Sequence, residues 1–272
     1  MTVFLTTLVG SAAYVMAAIW FITNASPSKF SFATWPHTGR LLVVIGIVCH
    51  TLILRWTTFP LDESRLNVIS AASLINWQIV LLYLLASFRR PVDNLGIIIL
   101  PIAAIALIVN VAVPANMSRP SHNNWQLDAH IVLSILAYSL LLLAVAQSML
   151  LAIQNRLLHR HKTGGFVRAL PPLETMEELL FQMLVLGFFL LSLALVSGLL
   201  FIDDLFSQHL VHKTTLSFIA WMIFGVLLWG HWRYGWRGRT AVRWTVSGGA
   251  ALTLAYFGSK FVLELILGRQ WG

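Results

Sequence analysis

Charge is what this 272-residue chain has least of: 10% of its residues are charged, 58% are hydrophobic, and the mean hydropathy is +0.80. Soluble domains carry about 25% charged residues, so there is too little charge to cover a globular surface in water. Cysteine is nearly missing. The lone Cys49 excludes an internal disulfide and any paired-thiol redox motif. Low-complexity segments, internal repeats and a soluble domain are also missing, and the longest non-spanning piece, residues 156–178, is too short to fold alone. No Ser-His-Asp or Cys-His arrangement falls in one accessible region, and no metal-protease motif, phosphate loop or in-membrane acid pair is present, so no catalytic constellation points to an enzyme.

What the chain has is apolar runs of membrane length. A helix crosses a bilayer in about 20 residues. Charged residues divide the sequence into eight such intervals: 2–28, 41–54 extended past Arg55 to 59, 66–88, 94–118, 129–155, 179–202, 214–232, and 244–259 extended through 267. Prolines fall at or between their ends, except Pro101, which is expected to kink the fourth. The first interval lacks a basic leader segment and is long for a signal peptide, so an uncleaved helix is expected. The expected fold is all-α: a polytopic membrane bundle of about eight transmembrane helices, one transmembrane domain over residues 1–272.

The net charge of +8 could suggest nucleic acid, but the basic residues sit in short runs between apolar segments and form no nucleic-acid module. The loops after the odd-numbered helices hold 12 of the 18 Lys and Arg residues, four of them in 156–168 and four in 233–243. The other side holds Arg55, Arg65, Arg119, Lys213, Lys260 and Arg269, together with Asp62, Glu63, Asp203 and Asp204. The positive-inside rule then puts both termini outside and the loops around Arg160 and Arg237 inside. The arginines around Gly235–Arg239 are expected to act chiefly as headgroup anchors.

Nine histidines in so apolar a chain are the informative feature. His37, His122, His159, His161 and His209 are expected in loops. His50 lies near the middle of helix 2, about 13 Å below Phe59; an ionisable side chain at that depth is a functional candidate, against the alternative of a neutral ring hydrogen-bonded to a neighbouring helix. Cys49 beside it reads as a small buried apolar residue. His130 enters helix 5 one turn after Trp125, with Ser134 and Tyr138 following on the same face. A polar stripe headed by His fits either interhelical hydrogen bonding or an iron ligand. His212 and His231 bracket helix 7 about 28 Å apart, too far to hold one cofactor together.

Several stretches taken together resemble a known family. Leu170-Pro171-Pro172-Leu173-Glu174, Gly187-Phe188 and Ser197-Gly198 are similar to a Leu-Pro-x-Leu-Glu…Gly-Phe…Gly run of the cytochrome c assembly proteins. Trp221, Gly235-Trp236-Arg237-Gly238-Arg239 and Tyr256-Phe257-Gly258 resemble that family's C-terminal signature; Arg55-Trp56, Pro60-Leu61, Asn67 and Trp125…His130 match earlier landmarks. The resemblance covers about residues 40–260. It is to haem-handling membrane proteins of the CcsA type, and most to their short inner-membrane YpjD branch.

That resemblance implies haem as cofactor, a multi-pass protein of the bacterial inner membrane, and haem handling for cytochrome c biogenesis beside other proteins of that process. His130 matches an external haem-ligand histidine, and His231 resembles a membrane-site histidine near the cytoplasmic end. His212 and His50 are further ligand candidates, with His130 and His50 able to share a tilted haem if their helices are neighbours. Arg55, Arg65 and Arg119 stand where haem carboxylates would emerge, or where lipid headgroups would be anchored. The family's Trp-x-Trp-Asp core is missing from residues 201–213, and residues 267–272 contain no histidine. Haem binding therefore carries over better than haem transfer. Two readings compete: a small-molecule transporter or permease subunit, given interior Asn67, Asn76, Gly187, Ser197 and Gly198 but no inverted repeat, and a structural scaffold of a membrane complex.

Overall fold

In lipid the backbone must satisfy its own hydrogen bonds, and a helix does this within one segment. The computed structural model describes residues 1–24, 37–58, 63–64, 68–90, 92–113, 119–120, 125–160, 170–201 and 208–258, and among these it is a polytopic helical membrane protein. The helices are α1 (Thr2–Asn24), α2 (His37–Thr57), α3 (Val68–Ser87), α4 (Gly96–Ala112), α5 (Trp125–His159), α6 (Leu173–Phe201), α7 (Gln208–Tyr234) and α8 (Gly238–Thr253). Each overlaps one of the eight expected intervals. Seven of the segments, α1 through α7 in order, are long and apolar enough to cross a membrane. The eighth, α8, has 16 residues and runs into a five-residue π turn, Leu254–Gly258.

Four boundaries differ most from expectation. α5 runs on to His159 and α6 starts at Leu173, so much of the expected 156–178 loop is helix. Arg, Glu, Met and Leu are strong helix formers, and a helix need not stop where its side chains turn polar. His37 opens α2 and His209 lies in the first turn of α7, where loops are expected. Pro101 lies inside α4, as expected, where it leaves the Ile97 carbonyl without its usual donor.

Two compact units emerge. One comprises Met1–His122 and Gln154–Pro172, the other Asn123–Ile153 and Leu173–Gly272. In the first, α1 packs on α2 and α4, and α3 on α4 and α2. Small residues permit the close approach of α1 and α2: a side chain on Gly46 would run into the Tyr14 ring, and one on Gly10 would meet Cys49 Cβ at 2.8 Å. Cys49 is half-buried in that seam. At one end Arg40 donates to the Ser87 carbonyl at 2.7 Å and lies 3.7 Å from the Asp93 carboxylate, joining the start of α2 to the end of α3 and the 3-10 turn before α4. A two-residue antiparallel pair, β1 (Glu63–Ser64) with β2 (Arg119–Pro120), sets the α2–α3 and α4–α5 connections side by side.

In the second unit α7 packs on α6 and α8. Gln147 Nε2 donates to the Met176 carbonyl at 3.0 Å, and Tyr138 donates to Thr253 Oγ1 at 3.2 Å, so α5 is joined to both α6 and α8. Trp221 of α7 stacks on Phe188 and donates its indole N–H to Ser192 Oγ of α6 at 2.8 Å.

Candidate functional site

His50 is fully buried in the first unit. Its Nε2 lies 2.9 Å from Ser73 Oγ and its Nδ1 lies 3.4 Å from the Tyr14 hydroxyl, with the Tyr14 ring edge-on at 6.0 Å. A neutral imidazole offers one donor and one acceptor, and the hydroxyls of α1 and α3 satisfy both. Iron could be ligated at this histidine only by displacing one of them.

His130 heads the polar face of α5 in the second unit. Its Nδ1 lies 2.9 Å from Ser197 Oγ on α6, and Ser197 in turn donates to the Ala194 carbonyl at 2.9 Å. Ser197 has only one proton, so His130 Nδ1 is the donor of that pair. Nε2 is then the acceptor for Ser134 Oγ, one turn along α5 at 3.4 Å, and a ligand there would displace this long bond. Gly198 makes room for the ring: a Cβ there would stand 3.0 Å from His130 Cε1. Nearby, Trp125 lies against Phe201. Two turns further along α5, Tyr138 packs on Tyr256 and Phe257 of the π turn, and Lys213 Nζ lies 5.4 Å above the Tyr256 ring.

His231 lies at the other end of α6. Its ring stacks on Phe181 with centroids 3.4 Å apart, and its Nδ1 donates to the Trp236 carbonyl at 2.8 Å. This fixes the tautomer and leaves Nε2 without a hydrogen-bond partner among the described residues. A groove of about 720 Å³ opens beside it, lined by His231, Phe181, Glu174, Glu177 and Arg237 and, further along α6, by Val185, Leu186 and Phe189. Thus two stretches that carry the family resemblance, 170–174 and 235–239, converge on one histidine, while a third, Ser197-Gly198, holds the other. Phe181 and Glu177 carry no motif of their own in the sequence; their only signal is proximity to the 170–174 stretch.

Phe181 and Ser197 are 16 residues apart on α6, about 24 Å along its axis, so His130 and His231 belong to separate sites. His50 lies in the first unit and His130 in the second. His212 lies in α7, but its side chain is outside the described residues, as are His122, His161, Arg65, Lys260, Arg269 and the segment from which the Trp-x-Trp-Asp core is missing. His159 closes α5 by bonding the Asn155 carbonyl and is exposed. No cluster of three or more metal-ligating side chains occurs among the described residues. A single axial imidazole, which haem requires, needs no such cluster.

Comparison with known proteins agrees with the residues. Over residues 37–267 the chain matches the family model described as cytochrome C assembly protein. It is 34% identical over 240 residues to the inner membrane protein YpjD of Escherichia coli K12, covering 85% of this chain and 89% of that one. It is 24% identical to the cytochrome c biogenesis proteins CcsA of Chlamydomonas reinhardtii, covering 78% of this chain and 62% of that one, and of Prochlorococcus marinus, covering 78% and 76%. No solved structure matches it. With the family model spanning most of its length, the chain belongs to the cytochrome c assembly protein family.

Proposed function

We propose that this protein binds haem within the bacterial inner membrane, as a multi-pass component assisting haem handling in cytochrome c biogenesis. The observation that carries the reading is the way His231 is held. Its Nδ1–H is engaged by a backbone carbonyl and its plane is fixed by Phe181, while Nε2 is left unpartnered beside an open groove. Metal-binding histidines are oriented through their second nitrogen in this manner. His130, at the other end of α6, is likewise held through Nδ1, by Ser197, with a long Ser134 contact on its Nε2.

The donor set fits haem. Each imidazole would supply one axial ligand, and bound iron would supply reversible one-electron redox chemistry. Val185, Leu186, Phe189 and Phe181 offer the apolar wall a porphyrin needs. Arg237 is the basic side chain lining the groove and would bind a carboxylate edge, whereas Glu174, Glu177 and Glu178 would repel one. Arg237 is therefore the lining residue that would hold a carboxylate edge. The same reading assigns His50 to interhelical hydrogen bonding.

The test is the visible spectrum of protein purified after haem-replete expression. A Soret band that His231→Ala diminishes is expected. A colourless wild-type protein would overturn the haem reading and favour a transport or scaffold role.

A further inference from the structure

One carboxylate contact beside His231 is not explained by haem binding alone. Glu177 faces the groove, yet one of its oxygens, Oε1, accepts the backbone N–H of Gly238. Gly238 closes a tight turn between α7 and α8. Gly235, at φ 65°, ends α7 with its N–H on the His231 carbonyl at 3.0 Å, an αL cap that glycine adopts without strain. The chain then folds back so that the Trp236 N–H reaches the Gly230 carbonyl at 3.2 Å. A side chain on Gly230 would collide with the Trp236 ring, so glycine makes that return path available. Trp236 is stacked between Tyr234 and Trp244. Arg237 follows in extended conformation, and Gly238, at φ 54°, presents its N–H to Glu177.

The turn's one bond to the imidazole is the Trp236 carbonyl, on the His231 Nδ1–H. On the α6 side, Glu177 is one helical turn from Phe181, whose ring stacks on His231. α6 thus grips His231 twice, directly through Phe181 and indirectly through Glu177 and the turn.

We propose that Glu177 is a positioning residue for His231: by anchoring the 235–238 turn it holds the Trp236 carbonyl on Nδ1–H and keeps Nε2 presented to the groove. This rests on the haem reading of that groove. The carboxylate acts as a hydrogen-bond acceptor and not as a charge for the ligand, since its sign is wrong for the carboxylates of haem. A bond from a backbone amide to a carboxylate is among the stronger kinds, and ligand-orienting contacts of this type change metal affinity by about 10- to 100-fold.

Three substitutions separate the possibilities. Glu177→Gln keeps an oxygen acceptor at the same reach, Glu177→Asp keeps the charge but draws it back by one methylene, and His231→Ala removes the proposed ligand. Two readouts are taken: amide hydrogen exchange of the 235–239 segment in haem-free protein, and haem affinity by titration of the Soret band. With Glu177→Asp, exchange about tenfold faster and haem affinity about tenfold weaker are expected, with Glu177→Gln close to wild type in both. Exchange or affinity unchanged in Glu177→Asp, while His231→Ala loses haem, overturns the positioning role and leaves the haem reading standing. Wild-type haem affinity and spectrum in His231→Ala overturn both. Loss of both properties in Glu177→Gln as well would show that an oxygen acceptor at this reach does not hold the turn, and would overturn the acceptor role of Glu177.

Discussion

What a histidine does in this membrane protein is decided by what occupies each of its ring nitrogens. His50 has a hydroxyl on both, from two neighbouring helices, and is fully buried. His130 gives its Nδ1 proton to Ser197 and takes at Nε2 only a long bond from Ser134 of its own helix, whereas His231 gives its Nδ1 proton to a backbone carbonyl and has no partner on Nε2 among the described residues. Replacing His130 by Ala should therefore remove or shift the Soret signal of bound haem, since iron loses a strong-field ligand, while His50→Ala should leave it unchanged. Oxidised and reduced spectra at full haem occupancy check this, and an unaltered pair for His130→Ala would sink its assignment. Sequence pattern picks out His130, because Ser134 and Tyr138 share its face. It does not supply Ser197, 67 residues from His130, nor Tyr14 and Ser73 on His50, because tertiary packing decides those contacts.

At the scale of elements, glycine positions separate helix seams that are tight from seams that are merely close. A Cβ on Gly187 of α6 would lie 2.7 Å from Leu141 Cδ2, whereas one on Gly225 of α7 would rest at an ordinary 3.5 Å from Phe188. Removing a glycine from a helix stabilises by about 0.4–1 kcal/mol when the added methyl fits, and overpacking costs about 1–3 kcal/mol. Gly225→Ala should thus raise thermal stability slightly in detergent, and Gly187→Ala should lower it. Equal effects would show that Leu141 moves aside freely. Seven of the helices, α1 through α7, are legible in the sequence because apolar length specifies them in lipid. Their ends are less so: α5 and α6 continue past Arg156 and before Glu178 because helix propensity persists where hydropathy has already fallen. The turn at 235–238 is visible as a glycine-rich break, but its contact with Glu177, 61 residues earlier, is not.

For the whole molecule the remaining variable is direction across the membrane, which charge sets. The connections after α1, α3, α5 and α7, counted together with the helix ends that flank them, hold 12 of the 18 Lys and Arg residues, and short basic loops are retained on the cytoplasmic side. The backbone pairing of β1 with β2 brings together the α2–α3 and α4–α5 connections, two of those assigned to the opposite side, as alternating helices require. Were α8 and the turn after it to make an eighth crossing, both termini would lie outside, the His231 groove would open toward the cytoplasmic side, and His130 would stand near the outer one. Haem would in that case meet one histidine at each face of the membrane, with about 24 Å of α6 between them. A reporter that is active only outside the cytoplasm should work when fused after Gly272 and fail when inserted after Lys162. The opposite result, activity after Lys162 and silence after Gly272, would invert the orientation and exchange the faces assigned to the two sites.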